Sequence, residues 1–310
     1  MIMDCIDGRA LTTKSLLNCP EERQRQFYLE LVDILAQLRR LEFPAAGSLM
    51  PGPTKGAEPA IVGTFSIPMN ELQQEGYPAN RLTTASVAEF MNGQFRLLWE
   101  TYALPTQELE RSAAERELFA LHTMKDQISK MGLDHHAGEP FILGHMDLRC
   151  PNIIVDDDLH IRSIIDWEWS GTVARQFFTP PTWITGDSLD LFRSVLASRK
   201  DKSFSHSQLA EEWGPGNDLV LHTVHIFRRP YSLLQTFYPL IYPQLYAEPR
   251  EKVIARFFTH QENITELEKR LHSSERYTQY LKDHDLFVVD EEAQKLKEWL
   301  EKGRELLKGM

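Results

Sequence analysis

The sequence predicts an α+β protein, mostly helical, with small β-hairpins gathered around one polar loop. Three observations carry this. Apolar residues recur at three- and four-residue intervals through much of the chain, the spacing of a single helix face. Three short apolar runs, at 141–143, 152–155 and 161–165, are too short for helices and lie beside turn-forming residues. Around those runs stand His145, Asp147, Asn152 and Asp166, polar side chains placed on loops rather than on an amphipathic face.

In chain order, residues 1–8 form a short apolar piece ending at Gly8. Pro20 is suited to the start of a helix. From there Phe27, Leu31, Ile34, Leu35, Leu38 and Leu41 make a helical stripe. Residues 47–63 are rich in Gly and Pro and read as turns. Within them Gly52-Pro-Thr-Lys55-Gly56 superficially suggests a phosphate loop, but it lacks the flanking strand and helix and the GKS or GKT ending. A short strand or extended piece is expected at 61–67. Helices are expected at 86–102, with Phe90, Phe95, Leu98 and Trp99 on one face, and at 107–131, with Leu109, Leu118, Leu121 and Met124. His135 and His136 are adjacent, so on a strand they point to opposite sides and share no metal.

The organising stretch follows. Residues 156–158 are three aspartates and read as a tight turn, which pairs the runs 152–155 and 161–165 as a hairpin. A hairpin brings its ends together, so Asn152 and Asp166 should be neighbours, with Asp147 one loop away. Mg²⁺ takes hard oxygen ligands, one or two carboxylates together with phosphate oxygens and water. Phosphoryl transfer needs a carboxylate to orient or deprotonate the attacking hydroxyl. The order H-x-D-L-x-x-x-N, then a separate Asp after a hairpin, is the arrangement of kinase catalytic loops. Asp147 would be the base, and Asn152 and Asp166 the metal ligands.

Beyond the loop, residues 178–183 form an irregular segment, because Pro180 and Pro181 exclude a helix. Helices are expected at 188–197, at 218–238 with a disturbance at Pro230, and at 251–260, 262–281 and 290–307. His222 and His225 share a helix face but have no third ligand nearby in sequence, so they read as a packed or surface pair. A boundary falls near 285–289.

The chain has 310 residues and a net charge of −11. That balance argues against a general nucleic-acid binder, which needs a basic face. With 42% hydrophobic and 25% charged residues the composition is that of an ordinary soluble globular protein. Cys5, Cys19 and Cys150 form no CxxC pair and read as reduced thiols, the usage expected in the cytoplasm. No apolar run has the length of a membrane span. Asp4 and Asp7 at the start do not make a signal pattern.

The words GHMDLRCPNIIVDDD, IIDWEWSGTV and FFTPPTWITG resemble the aminoglycoside phosphotransferase/choline kinase family, in the protein-kinase-like fold, and most of all its fungal-type branch. Weaker matches lie at IMDCIDGRAL, at LAQLRRLEF followed by GSL, and at AERELFALH. The resemblance covers most of residues 1–190. Met146 stands where family members usually have Gly.

The resemblance implies the C-terminal lobe of a kinase-like fold. It divides the chain into a hinge-like remnant at 1–15, a phosphotransferase lobe at 16–285 and a terminal helix at 286–310. Met3, Asp4 and Cys5 would line the adenine pocket. His145 would fix the loop backbone. Arg149 stands where protein kinases keep a phosphate-contacting lysine; the alternative is an Arg paired with an acid such as Asp147 or Glu168. Glu168 is a second metal contact or a structural acid, and Trp167 and Trp169 are expected to pack. The implied reaction moves the γ-phosphate of ATP, with Mg²⁺, to a hydroxyl of a small molecule, with no nucleic-acid or membrane partner. The alternatives are a non-catalytic pseudokinase or binding protein, and a metal-dependent phosphohydrolase. Relatives carry a first lobe with a phosphate-covering loop and a phosphate-holding lysine, and none of that precedes Met1. The expectation is therefore weak Mg-ATP binding and no transfer by the chain alone.

Overall fold

The computed structural model describes residues 6–52, 54, 56–78, 83–133 and 139–289. Met3, Asp4 and Cys5, Lys55, His135 and His136, and the helix expected at 290–307 lie outside them. The chain divides into two compact units, Met1–Tyr102 with Glu117–Val253, and Ala103–Arg116 with Ile254–Met310. The boundary expected near 285–289 lies inside the second unit.

In chain order the elements begin with β1 (Arg9–Ala10), α1 (Thr13–Leu17), α2 (Glu21–Arg39), β2 (Glu42–Phe43), β3 (Ser48–Met50), β4 (Ala60–Val62), α3 (Ile67–Gln74), α4 (Val87–Ala103) and α5 (Arg111–Leu133). The strands β5 (Phe141–His145), β6 (Ile153–Val155), β7 (Ile161–Ile164) and β8 (Ser170–Val173) follow. Then come α6 (Asp187–Arg199), α7 (Phe204–Trp213), α8 (Asp218–Arg228), α9 (Leu233–Thr236), α10 (Tyr242–Leu245), α11 (Arg250–Phe257) and α12 (Gln261–Asp283). The protein is thus α+β and mostly helical, with small antiparallel sheets, as the sequence predicts.

Helix α2 is the spine of the first unit. Pro20 sets its entry at φ −55°, and Glu21 and Glu22 occupy the first turn, where the helix dipole favours acids. Its stripe of Phe27, Tyr28, Leu31, Val32, Leu35 and Leu38 is buried. Leu41 falls past the helix end and is exposed, so the predicted stripe stops one turn early. The buried face meets α6 and α7, with the Tyr28 ring edge-on to Phe192 at 5.5 Å.

The strands form two three-stranded sheets, ordered β1-β6-β7 and β2-β5-β8. In the first, Arg9 pairs with Val155, and Ile153 with Ile164. A Cβ on Gly8, at φ +141°, would come 2.7 Å from the Val155 carbonyl oxygen, so only glycine lets the chain enter here. In the second sheet β5 is central and hydrogen-bonded along both edges, which makes it a rigid base for the loop it feeds.

Residues 47–63 are not all turns, because β3 pairs with β4 in a two-stranded hairpin, Leu49 opposite Ile61. The glycines there mark close approach rather than irregularity. Gly47 exchanges backbone hydrogen bonds with Thr172, and a Cβ on it would overlap the Val62 carbonyl. Helices α3 and α7 also escape the sequence reading. The first is short and capped by Ser66, whose hydroxyl accepts from the Met69 amide at 3.4 Å.

The helix expected over 218–238 runs to Arg228 and is interrupted at Pro230, where the disturbance is expected, before helix resumes at Leu233. Pro230 opens a 3₁₀ turn, and after α9 a π turn spans Phe237–Ile241. Pro239 inside that turn has no amide to give an α-helical bond.

In the second unit α12 buries Leu267 and Leu281. Its Ser274 and Thr278 hydroxyls accept from the backbone amides of Leu109 and Glu108, at 2.9 and 2.8 Å.

Candidate active site

Strand β5 delivers His145 at its end, and the chain then turns through residues 146–149 into a short 3₁₀ turn, Cys150–Asn152, before β6. Asp147 sits in this turn, only 3% exposed. Buried carboxylates need partners, and Asp147 has them on both oxygens. Its Oδ2 accepts from Arg149 Nε at 2.8 Å and lies 2.8 Å from Arg149 Nη2. Its Oδ1 accepts from Arg229 Nη2 at 2.8 Å. The Asn152 amide nitrogen donates to the Asp147 backbone carbonyl at 2.9 Å, which locks the loop across its own width. Of the two acids considered as partners for Arg149, Asp147 is the one it meets, while Glu168 is exposed.

Asn152 and Asp166 lie at the open end of the β6–β7 hairpin, as its pairing requires: the Ile165 amide donates to the Asn152 carbonyl at 2.9 Å. Asp166 has φ 64° and ψ 53°, left-handed backbone that L residues adopt at a cost of about 1 kcal/mol or more. Such strain is kept where a side chain must point one way. Leu159, in the aspartate turn at the far end of the hairpin, is also left-handed, at φ 70°. There Asp156 holds the turn by accepting from the amides of Asp158 and His160, each at 3.0 Å.

His145 ties the two loops together. Its Nε2 lies 2.9 Å from the Ile165 carbonyl. A carbonyl only accepts, so Nε2 carries the proton. The Trp167 ring lies 4.7 Å from the imidazole, and Trp167 Nε1 donates to the Ile164 carbonyl at 2.8 Å. Trp167 is nevertheless partly exposed, whereas Trp169 stacks on Phe65 at 5.0 Å.

The donor set here fits Mg²⁺. With its amide nitrogen committed to Asp147, Asn152 has its amide oxygen left to offer, and Asp166 adds a carboxylate. Among the described residues no group of three His, Cys, Asp or Glu gathers as a metal site. A two-residue set suits an ion that draws its remaining oxygens from phosphate and water.

Two functional candidates escaped the sequence reading. Arg228 and Arg229 end α8 and reach the loop from 82 residues away. Arg228 Nη2 donates to the Met146 carbonyl at 2.9 Å, and its Nη1 to the Thr179 hydroxyl at 2.8 Å. Thr179 belongs to the irregular segment before Pro180, and Trp183 Nε1 in the same segment donates to the Leu148 carbonyl at 3.0 Å. The available signal was two adjacent arginines just before a proline, at the end of an otherwise apolar helix face.

His225, one turn before Arg229, is partly buried. Burial, then the Arg228 and Arg229 charges, push its pKa down to about 4. An unfolded histidine titrates near ~6.5. Between those values the unfolded chain binds the extra proton, so stability is full above pH ~6.5 and falls as pH drops toward 4. The expected loss is on the order of 2 kcal/mol. Melting curves at neutral and acid pH should show His225→Gln flattening that slope; an unchanged slope would remove His225 as its source.

The chain belongs to the phosphotransferase enzyme family (APH), whose match runs over residues 1–172. That span holds Asp147, Asn152 and Asp166. Among solved structures the chain is similar to an ethanolamine kinase of Plasmodium vivax, at 19% identity and a TM-score of 0.39, over 77% of this chain and 60% of that one. The chain therefore spans about 60% of that relative's length. No match was found among curated proteins. Among the described residues no helix is long and apolar enough to cross a membrane.

Proposed function

We propose that this protein transfers the γ-phosphate of ATP to a hydroxyl of a small molecule in the cytoplasm. The reading rests on one observation above all: a buried aspartate, fixed on both oxygens, whose own carbonyl is hydrogen-bonded to an asparagine at the open end of the hairpin that closes with Asp166. In the proposed step the acceptor oxygen attacks the γ-phosphorus. The bond from that phosphorus to the β-bridging oxygen breaks, and ADP leaves with the electron pair. The hydroxyl proton passes to Asp147. Arg149, more than half exposed, turns toward the transferring phosphoryl group, where a guanidinium makes charge-assisted bonds. His145 positions the loop. Asn152 and Asp166 would hold Mg²⁺, which would supply neutralisation of charge on the triphosphate. Met3, Asp4 and Cys5 are assigned to the adenine side on resemblance alone.

A second reading, a non-catalytic nucleotide or ligand binder, draws on the same geometry: both Asp147 oxygens are already taken by guanidiniums. Thermal shift with Mg-ATP, followed by ADP release with a mixed set of hydroxyl acceptors, separates the two. Binding without ADP release favours the second. Phosphate release without any acceptor points instead to a phosphohydrolase.

The metal assignment has its own test. Asp166→Ala should weaken Mg-ATP binding by at least about 10-fold, and ATP binding without metal much less. Equal weakening in both conditions would make Asp166 a structural residue.

A further inference from the structure

Two guanidiniums meet on one buried carboxylate, and a third stands beside them. Arg149 holds Asp147 Oδ2 and Arg229 holds Oδ1, each at 2.8 Å. Arg228, beside them, gives its donors to neutral oxygens, the Met146 carbonyl and the Thr179 hydroxyl. One negative charge thus answers three positive ones. Burial, then Arg229, lower Arg228 to about 10, which reflects the same crowding. Arg229 also acts on Glu71 of α3, which burial raises and Arg229 draws back. The Arg149 and Arg229 side chains are 57% and 37% exposed, while that of Asp147 is 3% exposed.

We propose that this cluster selects an acceptor bearing a carboxylate or phosphate beside its reactive hydroxyl, and that Arg229 is the specificity-determining residue that reads it. The proposal deepens the phosphotransferase reading and rests on it. Its logic is an exchange of partners. With nothing else to bind, Arg229 caps Asp147 Oδ1, one of the two oxygens a hydroxyl can reach. A neutral or cationic acceptor cannot compete with Asp147 for a guanidinium. An acceptor anion satisfies the Arg229 fork with parallel charge-assisted bonds. Oδ1 is then released to the hydroxyl that arrives with it. Recognition of the acceptor and exposure of the base become one event.

The test uses the full chain without nucleotide, so that an anion at Arg229 is not confused with the phosphates of ATP. Calorimetry compares D-glycerate and glycerol 3-phosphate with glycerol and choline. The two anions should bind and the other two should not. Arg229→Gln should weaken the anions at least about 10-fold, the loss of one charge-assisted contact. Arg229→Lys, which keeps the charge but not the fork, should fall between, and it serves in place of the Gln variant if that does not fold. Absent anion binding, choline binding as tightly as the anions, or variants that bind like wild type would overturn the proposal. ADP release is then followed with the same compounds and Mg-ATP. Turnover with choline or glycerol and none with the anions sinks the acceptor inference but upholds phosphotransfer. Arg229-dependent anion binding with no turnover on any acceptor does the reverse, keeping the docking site and removing the reaction.

Discussion

In a form of the protein that carries the first lobe of its relatives, Asp147→Asn should cut transfer by about 10²–10⁴-fold while leaving nucleotide affinity nearly unchanged. The reasoning starts from burial. Asp147 is shielded from water, and its two oxygens are the points at which Arg149 and Arg229 meet. An asparagine is nearly the same size and keeps one carbonyl oxygen, so the loop backbone and the Asn152 bond to it persist. It cannot take a proton, so the proposed base is lost. Its amide NH₂ must also face one of the two guanidiniums, donor against donor. Losing one partner of a fully buried pair costs ~3–5 kcal/mol. Both guanidiniums here reach solvent, so about 1–3 kcal/mol is expected. Kinetics and calorimetry on one preparation separate the effects: turnover collapses, Mg-ATP still binds, and the melting point falls modestly. Wild-type turnover in the variant would remove Asp147 from the chemistry.

Trp213→Ala should destabilise the protein by about 3–5 kcal/mol, the range for truncating a buried aromatic. Trp213 ends α7, is 1% exposed and stacks on Phe192 of α6 at 6.3 Å. Its ring lies 5.4 Å from Phe178, and its Nε1 donates to the Phe178 carbonyl at 2.9 Å. The variant leaves a cavity among aromatic rings and strands that carbonyl. For a chain of this size the melting point should fall on the order of 10 °C. Trp213→Phe keeps most of the ring and loses the hydrogen bond, about 1 kcal/mol. The effect reaches the site as well, because Phe178 precedes Thr179, the hydroxyl that receives Arg228. Transfer in the Ala variant should therefore fall further than its unfolded fraction explains. Melting at the wild-type temperature would show that the α6–α7 packing does not depend on this ring.

The sequence by itself determined what is local. The stripe of α2 was readable because side chains three and four residues apart share a helix face. The β6–β7 hairpin was readable because three aspartates favour a turn and a hairpin joins its own ends. That logic brought Asn152 and Asp166 together, and the structure has them there through the Ile165 amide and the Asn152 carbonyl. The loop word around Asp147 named a chemistry, since it fixes residue types at fixed spacing.

What only the tertiary structure decided is the electrostatic state of that loop. Arg228 and Arg229 lie 82 residues beyond Met146 and Asp147. No periodicity or spacing measures such a separation, because it depends on where α8 packs. The left-handed backbone of Asp166 is likewise set by its surroundings, since an isolated aspartate prefers other conformations. The β3–β4 hairpin was hidden for a related reason: glycines that permit close approach of two backbones look, in sequence, like glycines that merely turn the chain. Local chemistry names the candidate loop, and long-range packing sets which charges surround it.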